Sequence, residues 1–118
     1  MDSNTLSKLG IKSVLNVAGS YSAHFLSESS IEYLDLEVQD VPEQELPFDQ
    51  ALLFINKNVL SGRPVLVHCI EGKSRSGSVI IAYFMQGYGW DYNRALEYVR
   101  KQRIAIPNSG FVHQLEEL

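Results

Sequence analysis

The polar stretch at residues 68–76 lies between two apolar segments, and it restricts the fold of the chain more than any other feature. It follows the apolar run at residues 64–67 and precedes a stretch of helical character at residues 77–85. A strand, a short loop and a helix in this order place N–H groups and the positive end of the helix dipole around one small anion. Cys69 opens the loop and Arg75 closes it, with five residues between them. The stretch therefore predicts an anion site that contains a thiol and a guanidinium.

The same loop has the residue types needed for attack on a phosphate ester. Cys69 is predicted to be the nucleophile, because a thiolate attacks well once a helix N-terminus and nearby cations lower the pKa of the thiol. Lys73 and Arg75 favour that anion, while Ser74 and Ser76 can donate hydrogen bonds to the sulfur. These bonds would also help the sulfur to depart from a phosphocysteine.

The other loop residues are assigned to phosphate binding and to loop order. Arg75 can hold two phosphate oxygens at once and bind a planar, metaphosphate-like transition state more tightly. Gly72 lets the backbone turn towards the ligand, and His68 is predicted to order the loop rather than act as a base, because a thiolate needs none. The predicted phosphate-binding residues are Ile70, Glu71, Gly72, Lys73, Ser74 and Arg75.

The loop lacks a group that protonates the departing oxygen and later activates water. Asp40 follows the second predicted strand by a few residues, so its loop can emerge at the same end of the sheet. The rival carboxylates in and around the acidic segment are Asp35, Glu37, Glu43, Glu45 and Asp49. Spacing alone does not choose between these candidates for the general acid.

Hydrophobic periodicity predicts three strands that alternate with helices. The strands are predicted at residues 13–18, 31–36 and 65–67, and the third is expected to be the central one. Helices are predicted at residues 4–9, 48–61, 76–88, 91–103 and 111–118, with loops at 19–30 and 37–47. The alternation is typical of a three-layer α/β fold, in which a mostly parallel central sheet is flanked by helices on both faces. Ligands of such sheets bind beyond the carboxyl ends of the strands, where the loop at 68–76 begins.

Length, charge and cysteine content narrow the class of protein. With 118 residues the chain is expected to form one domain, residues 1–118. Its net charge of −4 argues against nucleic-acid binding, and the apolar run near Val79 is far shorter than the ~18 residues of a membrane span. One cysteine excludes an intramolecular disulfide, so a soluble protein of the cytoplasm, and also of the nucleus, is expected. The histidines lack metal-ligand spacing, and neither a metal nor a cofactor is expected.

Several stretches, in order along the chain, resemble the cysteine-dependent protein tyrosine phosphatases, specifically small atypical members of the dual-specificity subgroup. Residues 68–76 resemble the phosphate-binding loop of that family, and Ser78 with residues 82–85 matches the helix that follows it. Residues 10–18 resemble an early helix-to-strand passage, and residues 107–115 resemble a C-terminal signature. The resemblance covers nearly the whole chain.

The resemblance implies a protein tyrosine phosphatase-like fold, a phosphoprotein substrate and a phosphocysteine intermediate. It also implies Asp40 as the general acid and Asn108 as a support for the active-site loops. Family domains usually begin with further strands before the helix at residue 4, so an exposed edge strand that pairs with another copy is a possible consequence here. The chain also lacks an aromatic-rich segment that deepens the pocket for phosphotyrosine, and a shallow pocket accepts phosphoserine and phosphothreonine as well.

Two other functions stay open from the sequence. One is a phosphate-binding module of low catalytic power, although a binder has little use for a reactive thiol at Cys69. The other is a phosphatase of a non-protein ester, such as a phosphoinositide or an RNA 5′-phosphate. Glu71 beside Lys73 disfavours a polyanionic headgroup.

Overall fold

The computed structural model describes residues 10–17, 31–69 and 73–118. Its sheet has three parallel strands, β1 (Ser13–Asn16), β2 (Glu32–Asp35) and β3 (Val65–His68), in the spatial order β2-β1-β3. Leu15 of β1 lies opposite Leu34 of β2 and Val67 of β3. Because all three strands run in the same direction, their carboxyl ends meet at one edge of the sheet.

The described residues form four helices: α1 (Phe48–Leu60), α2 (Arg75–Tyr88), α3 (Tyr92–Gln102) and α4 (Ser109–Glu116). Gly89 ends α2 with a left-handed φ of 71°, which glycine adopts at little cost. The side chain of Asp91 accepts a hydrogen bond from the Arg94 N–H and caps the start of α3. Asn108 caps α4 in the same way. Among the described residues, no helix is both long and apolar enough to cross a membrane.

The main core lies on the face of the sheet to which Leu15 points. Leu15 packs there with Phe54 and Ile55 of α1, Val79 of α2 and Phe111 of α4. The opposite face carries a smaller cluster, in which Val14 packs with Ile31, Ile11, Tyr33 and Leu66. Successive strand residues point to opposite faces, so this separation follows directly from the alternation along β1.

The predicted fold class, a mostly parallel sheet flanked by helices, is confirmed. The strands and helices predicted after residue 30 are present, with boundaries that differ by a few residues. The predicted helix at residues 4–9 and the predicted loop at residues 19–30 lie outside the described residues.

The prediction that the third strand is central is wrong for the described sheet, where β1 lies between the other two. All four residues of β1 are buried, although Ser13 and Asn16 are polar. The Ser13 hydroxyl donates a hydrogen bond to Asn58 Oδ1 of α1 at 2.6 Å, so the buried hydroxyl group has a partner. The strand predicted at residues 13–18 is therefore present, but its place in the middle of the sheet depends on which strands pair, and the pattern of a single strand does not specify that. Pairing of an exposed edge strand with another copy stays a prediction.

Candidate active site

Cys69 lies directly after β3, and its half-buried side chain is close to the start of α2. Its sulfur is 3.3 Å from the hydroxyl oxygen of Ser76, and the Ser76 N–H donates to the same sulfur at 3.5 Å. Ser76 is the second residue of α2 and is completely buried. An N–H group of the first turn and the helix dipole both favour a negative charge on the sulfur.

The loop at residues 68–76, which we call the nucleophile loop, is attached at its end to the segment that connects α3 to α4. The Ser74 hydroxyl accepts a hydrogen bond from the Asn108 N–H at 3.1 Å, and the Lys73 carbonyl accepts one from the Ile106 N–H at 2.8 Å. The side chain of Ser78 donates to the Ser74 carbonyl at 2.6 Å. These bonds fix the chain immediately before α2. The predicted phosphate contacts of Ile70, Glu71 and Gly72 lie outside the described residues.

Arg75 connects the nucleophile loop to the segment at residues 36–47, which we call the acid segment. Its Nη1 donates to the Val38 carbonyl at 3.0 Å. Arg75 is the first residue of α2, and Val38 is buried, so the guanidinium is held between two fixed parts of the molecule. Arg75 therefore connects the loop that contains Cys69 to the segment that contains Asp40.

Asp40 is exposed in the acid segment, and its Oδ1 accepts a hydrogen bond from Asn108 Nδ2 at 2.9 Å. Asn108 also accepts a bond from the Phe111 N–H at 2.9 Å, and its own N–H donates to Ser74. One asparagine thus joins Asp40, the nucleophile loop and α4. Of the rival carboxylates, Asp35 ends β2 and Asp49 lies in the first turn of α1. The remaining rivals, Glu37, Glu43 and Glu45, are exposed in the acid segment.

The acid segment is also held along its length by α4. The side-chain amide of Gln114 donates to the Gln44 carbonyl and accepts from the Leu46 N–H, both at 2.8 Å. Gly110 lies so close to Pro42 that a Cβ at position 110 would overlap the Pro42 carbonyl group. The sequence brought in Gln114 and Gly110 only through the resemblance, and no spacing pattern connects them to a segment nearly 70 residues earlier.

Replacing Gly110 with alanine should therefore destabilise the protein and displace the acid segment. We expect a loss of about 1–3 kcal/mol in the free energy of unfolding, as for other overpacked sites. Urea denaturation measures this change. The matched control is Gly87→Ala in α2, where an added Cβ meets nothing within 4 Å. Because alanine favours helix more than glycine by about 1 kcal/mol, equal destabilisation of both variants would contradict the tight fit at Gly110.

Arg103 is a further residue of the site that the sequence did not single out. Its Nη2 lies 3.2 Å from the Ser76 hydroxyl oxygen, although the two residues are 27 positions apart.

His68, predicted to order the loop, is the last residue of β3, and its carbonyl accepts a hydrogen bond from the Val17 N–H at 2.9 Å. In the described part of the chain, no group of three or more His, Cys, Asp or Glu residues could hold a metal ion.

The whole chain, residues 1–118, matches the family model described as the catalytic domain of dual specificity phosphatases. The chain is 40% identical over 114 residues to the protein phosphatase Slingshot of Drosophila melanogaster, which covers 94% of this chain and 11% of that protein. It is 36% identical over 118 residues to the serine/threonine/tyrosine-interacting protein of Mus musculus, covering 95% of this chain and 53% of that protein. The chain thus spans about half the length of the Mus musculus protein and about a tenth of the length of the Drosophila protein.

The fold is similar to the crystal structure of the human tyrosine phosphatase-like serine/threonine/tyrosine-interacting protein. The TM-score is 0.88 with 34% sequence identity, and the match covers 98% of this chain and 80% of that one. A crystal structure of DUSP15 matches with a TM-score of 0.86 and 30% identity, over 97% of this chain and 73% of the other.

Proposed function

The chain belongs to the dual-specificity phosphatase family, and on this premise we propose that it hydrolyses phosphotyrosine, phosphoserine and phosphothreonine in proteins through a phosphocysteine intermediate. The observation that carries the proposal is the placement of the Cys69 sulfur against the N–H and hydroxyl of Ser76. A thiol has no need of such surroundings as a core residue, whereas a thiolate nucleophile requires them.

In the first step the Cys69 thiolate attacks phosphorus and an S–P bond forms. The bond between phosphorus and the leaving oxygen breaks, and its electron pair stays on that oxygen. The Asp40 carboxylic acid donates a proton to the same oxygen. Asn108 occupies Asp40 Oδ1 as a donor, which leaves Oδ2 to carry the proton. Arg75 holds the phosphoryl oxygens while charge spreads over them.

In the second step a water oxygen attacks phosphorus, and the Asp40 carboxylate accepts the proton that the water loses. The S–P bond breaks, its electron pair returns to sulfur, and inorganic phosphate is released. Ser76 then stabilises the departing thiolate through its N–H and hydroxyl groups. Both steps are carried by side chains and backbone groups of this chain.

Replacing Asp40 with asparagine should slow hydrolysis of aryl phosphates with poor leaving groups far more than those with good ones. A phenolate of high pKa needs its proton during bond breaking, and loss of a general acid typically costs about 10²–10⁴ in rate. Single-turnover rates for a series of substituted aryl phosphates measure this dependence. Glu43→Gln, which removes an exposed carboxylate from the same segment, is the matched control. If Asp40→Asn slows all substrates equally, or if Glu43→Gln shows the leaving-group dependence, Asp40 is not the acid.

The second candidate is a phosphate-binding module that does not turn over. It is favoured by the similarity to proteins named serine/threonine/tyrosine-interacting protein, one of which is described as tyrosine phosphatase-like. A pre-steady-state assay separates the two functions. A burst of product followed by steady turnover supports the phosphatase, whereas bound phosphopeptide with neither burst nor turnover supports the binding module.

A further inference from the structure

Arg103 reaches the nucleophile from a part of the chain outside the nucleophile loop. It directly follows α3, and its side chain is half-buried. Its Nη2 is 3.2 Å from the Ser76 hydroxyl oxygen, which is itself 3.3 Å from the Cys69 sulfur. A guanidinium, a hydroxyl and the nucleophilic sulfur therefore form one continuous series of hydrogen bonds.

The bonding capacity of these groups sets the direction of the series once Cys69 is a thiolate. A guanidinium only donates, a thiolate only accepts, and a serine hydroxyl has one proton to donate. When Arg103 donates to the Ser76 oxygen, the Ser76 proton is directed at the sulfur. Ser76 is 0% exposed, so bulk water does not compete for either bond. Both bonds then involve a charged group, which makes them stronger than bonds between neutral groups.

The backbone that carries Arg103 is held against the start of α2. Ala105 is buried and packs on Gly77, where an added Cβ would lie 3.3 Å from the Ala105 Cβ. The Ile106 N–H donates to the Lys73 carbonyl at 2.8 Å. The position of Arg103 relative to Ser76 is therefore built into the packing between α2 and the segment after α3.

Other charged or titratable groups also belong to the elements around Cys69. They are His68, Glu71, Lys73 and Arg75 of the nucleophile loop and its preceding strand, and Asp40 of the acid segment. Arg103 differs from them because its contact with the sulfur runs through a hydroxyl. Its effect on Cys69 should therefore depend on Ser76, whereas the effect of a positive charge acting through space does not.

We propose that Arg103 is a positioning residue for the nucleophile, which orients the Ser76 hydroxyl so that it donates to the Cys69 sulfur. This inference rests on the proposed phosphocysteine mechanism and deepens it. The oriented proton stabilises the thiolate before attack on phosphorus. It does so again when the S–P bond breaks and the electron pair stays on the sulfur.

The test is the rate of alkylation of Cys69 by iodoacetamide as a function of pH. Cys69 is the only cysteine of the chain, so the reaction reports on this thiol alone. In Arg103→Gln, we expect the midpoint of the profile to move to higher pH and the rate on the acid side to fall about tenfold. Arg103→Lys should show a smaller shift, because lysine keeps a charged donor but lacks the planar fork. Arg103→Lys is also the more conservative substitution, so it keeps the test possible if Arg103→Gln does not fold.

Two comparisons separate positioning from general charge. Lys101→Gln removes one positive charge from a side chain that is 70% exposed, and its profile should match that of the wild type. In a Ser76→Ala background, Arg103→Gln should shift the profile little further, since the hydroxyl that it orients is gone. A wild-type profile for both Arg103 variants overturns the proposal. An equal shift in Lys101→Gln, or an undiminished shift in the Ser76→Ala background, also overturns it.

Failure of this inference is distinguishable from failure of the proposed function, because alkylation requires no turnover. If the wild type hydrolyses an aryl phosphate but the alkylation profile of Arg103→Gln is unshifted, the proposed phosphatase function stands and the positioning role of Arg103 is wrong. If the alkylation profile of Arg103→Gln is shifted but the wild type hydrolyses no aryl phosphate, the hydrogen-bond series is supported and the proposed phosphatase function is wrong.

Discussion

Replacing Cys69 with serine is expected to abolish hydrolysis of aryl phosphates and to leave phosphopeptide binding in place. A serine hydroxyl stays neutral in surroundings that favour a thiolate, and a neutral hydroxyl is a far weaker nucleophile than a thiolate. We expect kcat to fall by at least about 10⁴-fold, as when the nucleophile of other covalent enzymes is removed. Steady-state hydrolysis and titration with a phosphotyrosine peptide measure the two properties separately.

The control for this variant is its stability, because oxygen is smaller than sulfur and the side chain is half-buried. Thermal unfolding should be nearly unchanged, since Ser76 can still donate to the new hydroxyl. Residual hydrolysis close to that of the wild type would show that Cys69 is not the nucleophile. Loss of both hydrolysis and binding in a folded protein would argue that Cys69 shapes the site rather than attacks phosphorus.

Replacing Arg75 with alanine is the substitution with the next largest expected effect. It removes the planar donor that we propose for the phosphoryl oxygens, and it also removes the bond to the Val38 carbonyl at 3.0 Å. The first loss weakens transition-state binding, and the second releases the acid segment. We expect kcat/KM to fall by about 10³–10⁵-fold, as for other arginines that stabilise phosphoryl transfer. Arg75→Lys should recover only a small part, because an ammonium group cannot bind two oxygens in the same fork.

Arg94→Ala provides the charge-matched control for Arg75. Arg94 lies on α3 with its guanidinium 4.5 Å from the centre of the Trp90 ring, outside the site. Its removal lowers the net charge by the same amount and should change kcat/KM less than about threefold, because exposed charges are screened by salt. Similar losses in the Arg75 and Arg94 variants would mean that overall charge, and not the placement of Arg75, governs the rate.

The order of strand, loop and helix around Cys69 could be predicted from the sequence, because the residues that specify it are local. An apolar strand, a thiol, a glycine and an arginine lie within a dozen consecutive residues, and a helix begins where the loop ends. The strand β1 itself could be predicted, but its central position could not, because strand order depends on pairing with segments distant in the sequence. The burial of its polar residue Ser13 depends on a distant partner as well. Asn58, which accepts the Ser13 proton, lies 45 positions away.

The other half of the site depends on contacts between loops that no periodicity specifies. Asp40 and Asn108 are 68 positions apart, and Ser76 and Arg103 are 27 apart. The resemblance to a phosphatase family supplied Asp40 and Asn108, whereas Arg103 was not singled out at all. Such residues become recognisable only when the packing of α2, α3 and α4 brings their backbones together.

Detection of the phosphocysteine by rapid quenching and intact-protein mass spectrometry tests the central claim most directly. The Asp40→Asn variant with an aryl phosphate of good leaving group should accumulate the intermediate, because attack needs little acid while hydrolysis loses its base. We predict one phosphoryl group per chain, located on Cys69, and none in Cys69→Ser under the same conditions. Turnover without any phosphorylated protein, or an equal adduct in Cys69→Ser, would contradict the mechanism.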